Sequence, residues 1–270
     1  MAFRETAYAK INLALHVRGR RGDGYHEIET LFAFVDVGDR LSASAASQDH
    51  LRVFGEFVGQ LNDPFGNIVA KALASLPHGK GWAVDLDKRL PVAAGLGGGS
   101  ADAGAIFRMV EREYGLPDDW LARAAKLGAD TPACVKSSTC IGRGTGTELE
   151  YIDNDLWGMP ILLVNPRIPL ATGPVFQQWD GEDRGPLSTG TVSHIMRAGR
   201  NDLEQFAIRL CPIIGEVLTL LGRTGAYLSR MSGSGATCFA LYNDDAELQN
   251  AAQMVREKAR DWWQMSGHLR

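Results

Sequence analysis

The 270-residue sequence lacks several features that would each fix a class of protein. No run approaches the roughly 18 apolar residues of a membrane-spanning helix, and no charged-then-apolar leader pattern opens the sequence. A soluble, cytoplasmic chain without membrane contact is therefore expected. There is no basic excess: 28 Lys and Arg against 32 Asp and Glu leave a formal charge of −4, which argues against a nucleic-acid partner. Cysteine is sparse. Cys134, Cys140, Cys211 and Cys238 form no CxxC pair and no zinc spacing, and their small or apolar neighbours predict buried, reduced thiols. Internal repeats and low-complexity tracts are also missing. What remains is an ordinary globular composition, long enough for roughly two domains or one large one, with a core that needs no disulfide or metal.

The patterning predicts a mixture of strands and helices without strict alternation, hence an α+β fold. From Ala7 to Val17 apolar and polar residues alternate with period two, which places Lys10, Asn12 and His16 on one face of a strand. Turn residues follow from Arg18 to Gly24, and a strand pattern resumes at Leu31–Val37. Asn67 is placed to cap a helix from Ile68 that Pro77 closes, and Trp82–Leu86 reads as a short strand. An alanine-rich helix runs to Gly115. Asp118 is expected to cap Trp120–Leu127, and Thr131-Pro132 to open another helix. Ile161–Val164 reads as a buried strand, 166–190 as loop, and Asn201–Glu204 as a capping box. A second glycine turn at Ser232–Gly235 enters a strand, and an amphipathic helix begins at Asp245. The glycine-rich crossing at 142–147 suggests a division into residues 1–148 and 149–270.

The most informative segment is Gly95-Leu96-Gly97-Gly98-Gly99-Ser100, which runs straight into a helix. Glycines let backbone N–H groups approach an anion, and a helix start presents its positive end to it, so a polyphosphate suits this loop. A plain flexible turn is the alternative. The loop is not a Walker A motif, because no Lys followed by Ser or Thr closes it. It is not a dinucleotide fingerprint either, since Ser100 stands where the third glycine would be.

With its flanks, Pro91 to Ala101 resembles the central motif of the GHMP kinases. Ala9-Lys10-Ile11-Asn12-Leu13 resembles their first signature and Ser232-Gly233-Ser234-Gly235-Ala236 their third. The three occur in order across most of the chain. Arg21–Phe32, Leu127–Pro132 and Asn201–Glu204 are similar to the branch whose acceptor is a cytidine diphosphate-linked methylerythritol. The resemblance implies two domains, an N-terminal one like ribosomal S5 domain 2 and a C-terminal ferredoxin-like one. It implies an alcohol phosphotransferase that uses ATP and Mg²⁺ in isoprenoid precursor synthesis, as a monomer or weak homodimer.

It further implies that Asp130 is the catalytic base and that Lys10 stands beside it, lowering its pKa and stabilising charge on the attacking oxygen. Pro91, Gly95, Leu96, Gly97, Gly98, Gly99, Ser100 and Ala101 would hold the triphosphate, with Asn67 and Lys88 at the adenosine end. Helix capping explains Asn67 equally, and Lys88 reads equally as a surface charge. Tyr25, His26, Phe176 and Asn12 would receive the acceptor, the first three around its cytosine. Ser232, Gly233 and Ser234 are expected near the phosphate or acceptor, or as a plain turn. Magnesium would bind mainly through phosphate and water, with Ser100 as its protein ligand. Many family members carry a second serine after the loop; here that residue is Ala101. A small-acceptor kinase of the same family would not need Tyr25-His26. A non-catalytic nucleotide-binding module would not need both Lys10 and Asp130.

Overall fold

The computed structural model describes residues 3–61 and 67–270. In chain order its strands are β1 (Phe3–Arg20), β2 (His26–Ala46), β3 (His50–Phe54), β4 (Gly81–Asp87), β5 (Cys140–Arg143), β6 (Glu148–Tyr151), β7 (Pro160–Asn165), β8 (Leu228–Met231), β9 (Cys238–Leu241) and β10 (Trp263–His268). Its α-helices are α1 (Ile68–Ser75), α2 (Gly98–Tyr114), α3 (Trp120–Leu127), α4 (Thr131–Lys136), α5 (Thr172–Gln177), α6 (Val192–Ala198), α7 (Glu204–Leu210), α8 (Ile213–Gly222) and α9 (Asp245–Lys258). The chain divides into two compact units. One comprises Met1–Lys10, Val37–Val92 and Gly97–Ser137, and the other comprises Ile11–Asp36, Ala93–Leu96 and Ser138–Arg270.

In the first unit, the second half of β2 pairs antiparallel with β4, and β4 pairs in parallel with β3. Leu41, Ala43, Trp82, Val84 and Leu86 alternate inward along these strands and are buried, as period-two patterning requires. Asn67 caps α1 as expected, its Oδ1 accepting from Val69 N at 2.8 Å. Helix α2 buries an unbroken run from Ala101 to Phe107. Its small residues permit close packing: a Cβ at Gly104 would sit 2.4 Å from the Cys134 carbonyl oxygen of α4. Arg108, one turn on, donates to the Cys134 carbonyl at 2.6 Å and to Ser137 Oγ at 2.9 Å. Together these contacts tie α4 along the side of α2.

The second unit carries a four-stranded antiparallel sheet in the order β10-β7-β9-β8. With helices between β7 and β8 and α9 between β9 and β10, this is the split βαβ order of a ferredoxin-like domain. Its core joins Leu162, Val164, Phe206, Ile214, Val217, Leu221 and Tyr242. The four cysteines are free and buried, as composition predicted.

Several local expectations are corrected. The N-cap of α3 is Asp119, not Asp118, and its carboxylate bonds Arg123 at 2.7 Å instead of capping. Thr131 lies inside α4, whose N-cap is Asp130. Asn201 and Glu204 form no capping box. The N-cap of α7 is Leu203, Asn201 Oδ1 accepts from Leu203 N, and Glu204 accepts from Met231 N. Segment 166–190, read as loop, contains α5. Residues 263–268, which follow the helix expected from Asp245 and were not read as a strand, form β10, because hydrogen bonding along β7 outweighs their weak strand pattern.

Candidate functional site

Helix α2 begins at the glycine loop. Its N-cap, Gly97, has φ +61°, a left-handed conformation that costs glycine nothing. The helical ladder opens with Ala101 N donating to Gly97 O at 2.7 Å, which leaves the N–H groups of Gly98, Gly99 and Ser100 outside it. No acidic side chain stands in that first turn, so the positive helix end is uncompensated there. Gly99 is exposed, and Gly98 and Ser100 are half-buried. The turn is therefore open to an anion.

Lys10 and Asp130 meet beside this turn. Lys10 Nζ lies 2.9 Å from Asp130 Oδ2. A Cβ at Gly97 would come within 3.0 Å of Lys10 Cε and 3.6 Å of Asp130 Oδ2, so the glycine makes room for both. The lysine side chain is 4% exposed and the carboxylate 32%, which leaves the carboxylate reachable while its cation is enclosed. Asp130 occupies the N-cap of α4, yet its side chain makes no capping bond and is held toward the amine instead. An enclosed ammonium, an accessible carboxylate and a helix start can orient a hydroxyl against a phosphoryl group.

A second lysine lies under the same turn. A Cβ at Gly98 would be 3.5 Å from Lys88 Nζ. Lys88 is buried and pairs with Asp39 and, at 2.7 Å, with Asp102. Burial disfavours its ammonium, but the two carboxylates outweigh that and raise its pKa above the ordinary lysine value. Burial also pushes the Asp102 carboxyl well up, reinforced by Asp39 and opposed by Lys88. Asp39 Oδ1 accepts from Leu90 N at 2.8 Å, which fixes the segment between β4 and buried Pro91. Lys88 is thus a buried ion-pair residue, not a surface charge. Asn67 starts α1 next to the loop, where a Cβ at Gly99 would be 3.5 Å from Ile68 Cγ2.

In the second unit, Ala94 and Gly95 are held by the third motif. Ser232 Oγ donates to Gly95 O at 2.8 Å, and Thr237 N donates to Ala94 O at 3.1 Å. Gly95 has φ +78°, and a Cβ there would strike the Ser232 carbonyl oxygen at 2.2 Å, so no side chain fits. Asn12 is buried. Its N donates to Ser232 Oγ at 3.2 Å and its Nδ2 to Thr30 Oγ1 at 2.7 Å. Asn201 secures the motif from the other side, donating through Nδ2 to the carbonyls of Met231 and Gly233, both at 2.8 Å. Ser234 Oγ lies 3.0 Å from Thr172 Oγ1.

His26 and Phe176 come together, with ring centroids 5.0 Å apart. Trp179 adds an edge contact to His26 at 5.7 Å, and Arg20 donates to the Trp179 carbonyl at 2.6 Å. Burial, then the charge of Arg20, lowers the His26 pKa, so its imidazole is neutral at pH 7. His26 Nε2 and Trp179 Nε1 are enclosed without hydrogen-bond partners among the described residues. Tyr25, 63% exposed, projects from the turn between β1 and β2. Trp179, Thr131 and Asn201 were not singled out as site residues from sequence. The signal available was an aromatic in an apparent loop, a helix-start threonine and an apparent capping residue.

Magnesium finds no ready cage: no group of three or more His, Cys, Asp or Glu is arranged to hold a metal among the described residues. Ser100 Oγ and the half-exposed Asp130 carboxylate are oxygen donors by the loop, and such a sparse set fits an ion held chiefly by phosphate and water.

Residues 67–138 match the model of the GHMP kinases N terminal domain, and residues 188–261 that of the GHMP kinases C terminal. The chain is 69% identical over 270 residues to the 4-diphosphocytidyl-2-C-methyl-D-erythritol kinase of Novosphingobium aromaticivorans, covering 100% of this chain and 94% of the relative. It is 59% identical over 269 residues to the protein of that name from Erythrobacter litoralis, covering 98% of each. A crystal structure of 4-(cytidine 5'-diphospho)-2C-methyl-D-erythritol kinase superposes with TM-score 0.82 at 30% identity, over 99% of both chains. Homoserine kinase from Cytophaga hutchinsonii shares the fold, with TM-score 0.69 at 16% identity over 98% of this chain and 93% of that one. The chain therefore belongs to the GHMP kinases, in the family of the 4-diphosphocytidyl-2-C-methyl-D-erythritol kinases.

Proposed function

We infer that this protein is the ATP-dependent kinase that phosphorylates the 2-hydroxyl of 4-diphosphocytidyl-2-C-methyl-D-erythritol in the non-mevalonate route to isoprenoid precursors. The observation that carries the chemistry is the Lys10–Asp130 pair at 2.9 Å beside the left-handed Gly97 that opens α2. Family membership selects the acceptor.

In this reading, Pro91 and Gly95 to Ala101 form the cradle for the triphosphate, with first-turn N–H groups donating to its oxygens. Asn67 shapes the nucleotide end through the start of α1. Lys88 serves that end from beneath, by fixing the loop with Asp39 and Asp102. Asp130 orients the acceptor hydroxyl and takes its proton as the new O–P bond forms and the bond to the β-phosphate oxygen breaks, releasing ADP. Lys10 stabilises charge on the attacking oxygen. Magnesium, when bound with Ser100 as its protein ligand, neutralises charge on the triphosphate.

Tyr25, His26 and Phe176 receive the cytosine. Neutral His26 offers its unpartnered Nε2 to the polar edge of the base, while the aromatic faces stack. Asn12 holds the acceptor side through Ser232. The division 1–148 and 149–270 is proposed as the ancestral domain boundary, since the two family-model matches fall on either side of it. We further propose a cytoplasmic enzyme that acts as a monomer or weak homodimer and needs no nucleic-acid partner.

Release of ADP measured with four acceptors tests the reading: the cytidyl compound, mevalonate, homoserine and galactose. Turnover is expected with the first alone. Equal or faster turnover with any of the others would overturn the assignment of the acceptor.

A further inference from the structure

The side chain of Thr131 is fully buried, and its hydroxyl has no hydrogen-bond partner among the described residues. It follows Asp130 directly and stands in the first turn of α4. Such a hydroxyl costs stability unless something completes it. The missing partner is indicated by Gly128. A Cβ at Gly128 would be 3.3 Å from Thr131 Oγ1 and 3.3 Å from Ser100 Oγ. Both hydroxyls therefore border the same face of Gly128, where a Cβ would crowd them. They make no direct bond, and a single water reaching both would complete the buried Thr131 hydroxyl.

The packing of the helices explains why these two residues meet. Helices α2 and α4 run side by side with residues about thirty apart facing each other, Gly104 against Cys134 and Arg108 against Ser137. That register, continued one turn toward the loop, sets Thr131 level with Ala101, the residue after Ser100, which has no hydroxyl of its own.

We propose that Thr131 is a positioning residue for the phosphate cradle. Its hydroxyl, through one bridging water, holds Ser100 in the orientation that receives the triphosphate, so α4 supplies the hydroxyl that α2 lacks at Ala101. The proposal rests on the kinase reading. It differs from that reading in tying nucleotide affinity to a residue that touches neither substrate.

The test uses the full chain and binding of β,γ-imido-ATP with Mg²⁺ by calorimetry, read without turnover so that failure of the acceptor assignment cannot be mistaken for failure here. Thr131→Val keeps the shape and removes the hydroxyl. Its Kd is expected to rise about three- to tenfold, the worth of one hydrogen bond, with the melting temperature not lowered. Thr131→Ser restores binding to within about twofold of the wild type. Ala101→Ser combined with Thr131→Val recovers most of the loss by returning a hydroxyl from the facing helix. Wild-type affinity in Thr131→Val, or equal loss in the Val and Ser variants, would overturn the proposal. A high-resolution crystal structure of the unaltered protein tests it independently of any variant. An ordered water within hydrogen-bond distance of both hydroxyls supports it, and a Thr131 hydroxyl bonded only to a backbone carbonyl refutes it.

Discussion

Two lysine–aspartate groups lie beside the same glycine turn and do different work. Lys10 pairs with the carboxylate of Asp130, which remains 32% exposed; Lys88 pairs with those of Asp39 and Asp102, which are sealed at 0% and 3%. In the first the charge is enclosed on one side and presented on the other, which suits a group that must meet a substrate. In the second nothing is presented, and the charges hold the strand that enters the loop. Buried ion pairs contribute little net stability when complete but are costly to break. The comparison teaches that access, not charge or proximity to the glycine turn, separates a group that can react from one that can only support.

The largest expected effect breaks the open pair. Asp130→Asn should lower kcat by about 10²–10⁴ while the melting temperature and ATP affinity stay near wild type. Rapid-quench turnover alongside calorimetry checks this, and a rate close to wild type would remove Asp130 from the mechanism.

Breaking the sealed group should read out differently. Lys88→Met leaves two buried carboxylates without their cation and is expected to cost about 3–5 kcal/mol, seen as a large drop in urea midpoint. If Lys88→Met leaves the midpoint unchanged, the contrast between the two groups collapses.

Next in size, Tyr25→Ala should raise the acceptor KM by a factor worth about 1–3 kcal/mol while the ATP KM moves little. Equal changes in both constants would argue that the exposed ring does not stack on a base.

The smallest effect concerns an exposed counterpart of these groups. His268 lies 2.8 Å from Asp245 and 3.4 Å from Asp36. The hydrogen bond to Asp245, with the charge of Asp36, raises its pKa. Protonated His268 therefore stabilises the fold fully below its unfolded value of 6.5, and that contribution fades as pH rises through the higher folded value. Melting curves of wild type and His268→Asn should differ most near pH 6 and converge by about pH 9. A gap that widens with pH would reverse the sign and refute the pairing.

How much of this was readable in advance varies with the range of the interaction. The start of α1 at Asn67 and the end of α2 at Gly115 were both anticipated, because caps and helix stops act within a turn. Segment 263–268 was not seen as a strand, since β10 exists only by pairing with β7, about a hundred residues earlier. Asn201 looked like a local cap, yet its amide serves carbonyls thirty residues away. Among the site residues, Lys10, Asp130 and the glycine loop were legible through motif resemblance. The sealing of Lys88 was not, because its spacing to Asp39 and Asp102 along the chain carries no mark of their meeting.

Residue order alone was enough to point, through motif resemblance, to an α+β kinase of this family, a candidate phosphate loop and two catalytic candidates, because helix starts and motif order are written locally. Folding in three dimensions decided which charges are open and which sealed, that Trp179 joins His26 and Phe176, and that Thr131 faces the start of α2. Those outcomes depend on burial and on partners brought from distant parts of the chain, and desolvation is a property of the packed molecule that no short segment contains.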